Sequence, residues 1–232
     1  MTDPLFNLPA APLLPVEGVA GGYPVGRVFC VGRNYAAHAA EMGNEVDREA
    51  PFYFTKAARH ICLSGATIPY PPGTQDCHHE MEFVVALGAS AFRVSEAEAM
   101  AAVYGYACGI DLTRRDLQAA AKDKRRPWDL GKDFEASAVI GTITPKVEFG
   151  EIGNQSIRLM VDGRVAQEAT LAEMVWSVPE IIAHLSRYYH LEPGDLIYTG
   201  TPAGVGPVVP GNVLLGEIDG LASLHLSIGA AE

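Results

Sequence analysis

A chain of 232 residues with 48% hydrophobic and 19% charged side chains can bury a sizeable core and is ordinary in composition for a globular protein. Its 17 basic against 28 acidic residues leave a formal charge of −11, which repels nucleic acid, and no basic stripe offsets it. No apolar run reaches membrane-spanning length and Met1 to Pro15 lacks the pattern of a secretory signal. The scattered Cys30, Cys62, Cys77 and Cys108 form no Cys-x-x-Cys pair, so a reducing cytoplasm is expected rather than a disulfide or zinc framework.

Residues 1–26 read as a Pro-rich arm and residues 27–232 as one domain. Arg27 to Gly32 is a short apolar strand that runs into Asn34-Tyr-Ala-Ala-His-Ala-Ala-Glu-Met, where Asn34 is a candidate N-cap and the alanines favour helix. Pro51 to Lys56, Thr67 to Tyr70 and the Val- and Phe-rich Met81 to Leu87 read as strands. Ser95 to Val103 reads as helix, with Ser95 and Glu98 in capping-box spacing. Tyr104 to Ile110 is a buried strand, and Thr113 to Lys124 a helix opened by Thr113 with Asp116. The stretch from Trp128 to Lys132 carries no helix signal. Ile157 to Gln167 is a hairpin about Asp162-Gly163, a pair suited to a type I′ turn. Ser177 to Tyr189 is a helix with Ser177 and Glu180 as its capping box. Leu196 to Thr199, Val213 to Ile218 and Ala222 to Ile228 complete a strand-rich half, with Asp219-Gly220 as the last turn. Such an order does not alternate as a βαβ fold does. It predicts α+β, dominated by β structure.

Alternation along a strand puts Glu80 and Glu82 on one face, the face that also takes Val84 and Ala86. Two anions opening a buried strand are costly unless a cation neutralises them, and oxygen ligands suit a hard cation such as Mg²⁺ or Mn²⁺. A solvated strand end explains the same two residues. Asp111, between an apolar strand and a helix, could complete a facial oxygen trio; a turn residue is the alternative. His38 and Glu41 share a helix face at i, i+3, as a carboxylate-oriented general base requires, and equally as a surface ion pair does. Arg115 and Gln118 share a face that could meet an anion or be ordinary helix polarity. Lys132 could be catalytic or simply exposed. The Gly-rich loop from Thr199 to Gly206 lacks a phosphate-loop ending; it either approaches a small ligand through its backbone or is a structural turn.

Taken in order, Cys30-Val-Gly-Arg-Asn-Tyr-Ala-Ala-His, Glu80-Met-Glu, Gly109-Ile-Asp-Leu-Thr-Arg-Arg-Asp, Trp128-Asp-Leu-Gly-Lys and Tyr198-Thr-Gly-Thr-Pro-Ala-Gly-Val-Gly-Pro resemble the fumarylacetoacetate hydrolase superfamily. Within it, the single-domain acylpyruvate and fumarylpyruvate hydrolases are most similar. The resemblance runs from about Arg27 onward and implies a mixed β-roll with a few short helices and a lid helix, usually a homodimer. It implies Mg²⁺ or Mn²⁺ (Ca²⁺ in vitro) on Glu80, Glu82 and Asp111, and a His38–Glu41 catalytic dyad. Lys132 stabilises an oxyanion in that scheme, and Arg33, Arg115, Gln118 and Thr201 contact a 2-oxo acid. The implied reaction is hydrolysis of a carbon–carbon bond in an acylpyruvate, such as fumarylpyruvate to fumarate and pyruvate. Oxaloacetate decarboxylation or hydroxymuconate-type isomerisation on the same scaffold is the alternative, and a catalytically silent small-acid or protein binder the alternative of another class. Two departures from the family pattern stand out: Asp133 after Lys132, which could alter that lysine's charge partner, and His78-His79 before the ligand pair. A distal carboxylate on the acyl group needs a cation, for which Arg33, Lys56, Arg59 and Arg115 are the candidates.

Overall fold

A computed structural model describes residues 5–7, 9–41, 43 and 48–232. Met42, to which the expected first helix extends, and part of the N-terminal arm lie outside them. The architecture is β-dominated with short helices, as the order of elements predicts.

The central sheet is mixed. From one edge its strands run Phe52–Lys56, Val28–Gly32, Leu196–Tyr198, Met81–Leu87, Val103–Asp111, Ala138–Ile140 and Ile61–Leu63, with Thr144–Pro145 also pairing to Val103–Asp111. Leu196–Tyr198 pairs parallel to Val28–Gly32 and Ala138–Ile140 parallel to Ile61–Leu63; the other neighbours are antiparallel. A second sheet runs Arg164–Thr170, Ser156–Val161, Val213–Ile218, Leu224–Ala231 and Ala66–Tyr70. Its first hairpin turns at Asp162 and Gly163, whose φ values of 49° and 74° both lie in the left-handed region that a type I′ turn demands. A small third sheet joins Thr113–Arg114, Cys77–His79 and Gly206–Val208. In the arm, Leu13–Val16 and Val19–Pro24 pair as a hairpin.

Strand Met81–Leu87 is buried along its whole length and divides two cores. Met81, Phe83, Val85 and Leu87 enter the larger cluster, with Ile110, Leu159 and Leu214. Val84 and Ala86 enter the other, with Val28, Cys30, Tyr198 and the arm's Leu14, Val16 and Tyr23. Full burial of side chains of this size contributes about 1.5–3 kcal/mol each, so the register of this strand is strongly fixed. A one-residue slip would drive Glu82 into the larger core.

Two expected helix caps are absent. Thr113 does not cap the helix that follows. It sits in the small sheet, the helix is Arg115–Asp123, and the Asp116 carboxylate accepts from Thr74 Oγ1 (2.6 Å) and Gln75 N (3.1 Å), tying the helix start to that turn. Asn34 likewise caps nothing. Its amide brackets two other segments, accepting from Trp176 N at 2.6 Å and donating to Trp176 O at 3.0 Å and Thr199 O at 2.7 Å. A fully buried amide takes whatever partners satisfy all its hydrogen-bonding groups, and here those are non-local.

Candidate metal and catalytic site

Glu80 is the single residue between strands Cys77–His79 and Met81–Leu87, and Glu82 follows on the same face. Asp111 ends the neighbouring strand, in which Gly109 lies opposite Glu82. Gly109 cannot carry a side chain, since a Cβ there would meet Val84 Cγ2 at 2.4 Å and the Tyr198 ring at 2.7 Å. Asp111 N donates to Glu80 O at 2.8 Å, which ties the two chain segments together. The three carboxylates are 5%, 2% and 0% exposed, and one oxygen from each lies within 4.8 Å of the others. The reading of a solvated strand end is excluded by that burial.

Three buried cations face them. Lys132 Nζ donates to Glu80 Oε2, Asp111 Oδ2 and Thr113 Oγ1, each at 2.7 Å. Arg115 Nη2 lies 2.5 Å from Glu80 Oε1, and its Nη1 donates to Gln118 Oε1 at 2.7 Å. Lys56 Nζ lies 2.8 Å from Asp111 Oδ1 and also donates to Leu112 O (3.2 Å) and Lys132 O. Lys132 is 2% exposed, so a solvated lysine is ruled out. It arrives on the helical turn Asp129–Lys132, where no helix was expected. The turn has no side-chain cap and is held instead by packing on the helix Arg115–Asp123: a Cβ on Gly131 would lie 2.9 Å from Gln118 N.

The carboxylates are not equivalent. Burial by itself would raise Glu80, but Lys132 and Arg115 outweigh it and hold the group well below the usual carboxylate range. Burial, reinforced by the charges of Asp111 and Glu80, pushes Glu82 far above that range. Its one direct compensation is a hydrogen bond from Gly200 N at 2.7 Å. Asp111 Oδ1, beside Lys56 in ion-pair contact, accepts no well-directed hydrogen bond. Glu82, buried with a backbone amide as its only hydrogen-bond compensation, completes with Glu80 and Asp111 an all-oxygen set of the kind a hard divalent cation takes. The residues fit such an ion.

His38, on the helix Ala36–Glu41, is 6% exposed, with Nδ1 at 3.4 Å from Glu41 Oε2. Both Glu41 oxygens lie 3.1 Å from Gly204 N, so the Gly-rich loop holds the carboxylate that holds the imidazole. Burial lowers the affinity of His38 for a proton against the opposing pull of Glu80 and Glu41, leaving a neutral ring at pH 7. His38, Glu80 and Glu82 line one cavity together with Arg33, Gln118 and Thr201. Arg115, Lys122 and Lys132 line it too, between the walls of Phe54 and Trp128.

Arg33 sits on that wall at a φ of 60° and makes no hydrogen bond among the described residues. Thr201 Oγ1 accepts from Gln167 Nε2 at 2.8 Å, while Gln167 Oε1 lies 3.0 Å from both His79 Nδ1 and Met81 N. Gln167 thus joins the Thr201 loop to the start of strand Met81–Leu87. It was not visible in the sequence, where it reads as one more hairpin residue. Lys122 was missed altogether, although Arg115, Gln118 and Lys122 fall at i, i+3 and i+7 on one helix face. Asp133 does not partner Lys132. It accepts from Ala57 N at 2.8 Å and lies 2.6 Å from His60 Nδ1, so the departure leaves the lysine's partners as they are. His78 meets Asp76 at 2.8 Å, outside the acidic trio.

Residues 27–228 match the family described as Fumarylacetoacetate (FAA) hydrolase C-terminal. The chain is 50% identical over 193 residues to fumarylpyruvate hydrolase of a Ralstonia species, covering 82% of this chain and all of that protein. It is 39% identical over 196 residues to the mitochondrial oxaloacetate decarboxylase of Dictyostelium discoideum, covering 84% and 89% of the two chains. Among solved structures, fumarylpyruvate hydrolase from Pseudomonas aeruginosa, in complex with Mn²⁺ and pyruvate, superposes with a TM-score of 0.95 at 43% identity, covering 98% of this chain and 100% of that one.

Proposed function

Because the chain belongs to the fumarylacetoacetate hydrolase family, we propose that it is a divalent-metal-dependent hydrolase of acylpyruvates. Fumarylpyruvate and water would give fumarate and pyruvate, with the bond between the methylene and the acyl carbonyl broken. The observation that carries this reading is a buried carboxylate trio, two of whose members, Glu80 and Glu82, open onto one cavity with a neutral, carboxylate-oriented histidine. Its support is the 50% identity to a fumarylpyruvate hydrolase.

Glu80, Glu82 and Asp111 would hold the Mg²⁺ or Mn²⁺. The bound ion would supply Lewis-acid charge to the 2-oxo acid end of the substrate. Arg115 and Gln118, already hydrogen-bonded to each other, present donors to the carboxylate of that end, with Thr201 at the opposite wall. His38 binds its Nδ1 proton toward Glu41, leaving Nε2 free to take a proton from water. The hydroxide attacks the acyl carbonyl, and Lys132, whose ammonium is held in the cavity wall by Glu80, Asp111 and Thr113, donates to the oxyanion. Collapse expels the pyruvate enolate, and the proton held on His38 returns to its methylene carbon. Decarboxylation of oxaloacetate needs no water-activating base, and the His38–Glu41 pair therefore favours hydrolysis.

On this reading residues 27–232 are the catalytic domain and the N-terminal arm is held to it through Leu14, Val16 and Tyr23. The enzyme works in the cytoplasm as a homodimer, for which exposed apolar side chains such as Leu130, Val147 and Tyr188 offer material. Among the described residues no helix is long and apolar enough to cross a membrane. The test is a spectrophotometric assay on fumarylpyruvate, acetylpyruvate and oxaloacetate, with Mg²⁺, with Mn²⁺ and with chelator. Metal-dependent pyruvate release from an acylpyruvate is expected; turnover of oxaloacetate alone would replace hydrolysis with the scaffold's other chemistry.

A further inference from the structure

Four cationic side chains line the cavity, and two of them have no carboxylate partner among the described residues. Arg115 and Lys132 are paired with Glu80 and Asp111, and on the reading above they serve the 2-oxo acid end and the oxyanion. Of the other cations that could meet a remote anion, Lys56 is buried on Asp111 and Arg59 is exposed away from the cavity walls. Arg33 and Lys122 remain, both half-buried and therefore nearer the mouth than the acidic trio. Lys122 Nζ stands 4.8 Å from the Trp128 ring centroid, a contact that fixes the ammonium without neutralising it.

We propose that Lys122, with Arg33 beside it, forms an anion subsite for a carboxylate at the far end of the acyl group, and so selects dicarboxylic over monocarboxylic acylpyruvates. The inference deepens the hydrolase reading and rests on it for the identity of the substrate. The electrostatics agree: burial, and then the positive charges of Arg115 and Arg33, bring Lys122 down to about 8. That is still protonated in the main at neutral pH, so two uncompensated cations face one cavity until an anion enters between them. Arg33 is held there by backbone geometry rather than by a partner, since its φ of 60° is one that a side-chain-bearing residue adopts only when its surroundings impose it. A methyl group at the same place would leave both cations unpaired and desolvated, which is how a site rejects the wrong ligand.

The test compares Lys122→Met and Lys122→Arg with the parent enzyme, loaded with Mn²⁺, on fumarylpyruvate and acetylpyruvate. The ratio of kcat/KM for the first substrate to that for the second should fall about 10- to 100-fold in Lys122→Met, the range of one hydrogen bond to a charged group, and recover in Lys122→Arg. An unchanged ratio, or one that Lys122→Arg does not restore, overturns the subsite. Calorimetric binding of fumarate and of crotonate, which has a methyl where fumarate has its second carboxylate, needs no turnover. If the parent hydrolyses neither substrate yet binds fumarate over crotonate through Lys122, the hydrolase reading fails and the subsite stands. If fumarate and crotonate bind alike in parent and variant, the subsite fails whatever the reaction is.

Discussion

Glu82 differs from the other two carboxylates in what surrounds it. Glu80 and Asp111 each meet a lysine, whereas Glu82 has a backbone amide and two neighbouring anions. A carboxyl whose folded value is raised contributes stability that is fully present below its unfolded value, about 4.3, and is lost as pH rises through the folded value. At neutral pH the metal-free protein is therefore strained at this position. Gln can keep the hydrogen bond from Gly200 without the charge. Differential scanning fluorimetry in chelator should show Glu82→Gln melting about 2–4 °C higher than the parent, with the Mn²⁺-induced shift abolished. A lower melting temperature in chelator would mean that Glu82 is structural. His38 makes a second prediction. His38→Ala should retain the Mn²⁺-induced shift while kcat falls by about 10² to 10⁴, the usual worth of a general base. Because burial lowers His38 from its ordinary 6.5, the acid limb of the parent's kcat/KM profile should lie below that pH, activity rising as the ring loses its proton. A limb above 7 would assign the base to another group.

At the level of elements, the strand pattern was the most legible part of the chain. Met81–Leu87 and Val213–Ile218 have the bounds that their apolar composition predicts. The alternation that placed Glu82 with Val84 and Ala86 also holds in the two cores. What stayed hidden has one physical cause, that its partners are distant in sequence. Asn34 serves Trp176 and Thr199, Gln167 serves His79 and Thr201, and the turn carrying Lys132 is made by packing on Gln118 rather than by a local cap. Lys122 was hidden differently, since helix spacing alone cannot say which face meets a cavity. The Gly-rich loop shows how such non-local dependence reaches the chemistry. Gly204 has a φ of 90°, and a Cβ on it would lie 2.1 Å from Ala166 O, so Gly204→Ala must move the amide that holds both Glu41 oxygens. The variant should fold and bind Mn²⁺ with kcat reduced at least about 10-fold through the loss of one charge-assisted hydrogen bond. An unaltered kcat would show that Glu41 needs no anchor.

Over the whole molecule, a formal charge of −11 coexists with a cavity walled by four cations, so attraction of an anionic substrate is a local property of the cavity and not of the surface. The small sheet shares the larger core through Cys77 and Val208, and its joint with the central sheet also runs past the acidic trio. Glu80 alone separates a strand of the small sheet from one of the central sheet, and Arg115 begins the helix that follows another small-sheet strand. A dication gripping Glu80 with Glu82 and Asp111 would act as a rivet through that joint, clamping one layer to the other. Amide hydrogen exchange in Cys77–His79, Thr113–Arg114 and Gly206–Val208 should then slow on adding Mn²⁺, while the outer strands of the five-stranded sheet keep their rates. Equal slowing everywhere would point to global stabilisation instead. With the rivet in place, the loading of the ion would set how firmly the cavity keeps its shape, so that loss of the metal would loosen the joint between the layers as it stops turnover.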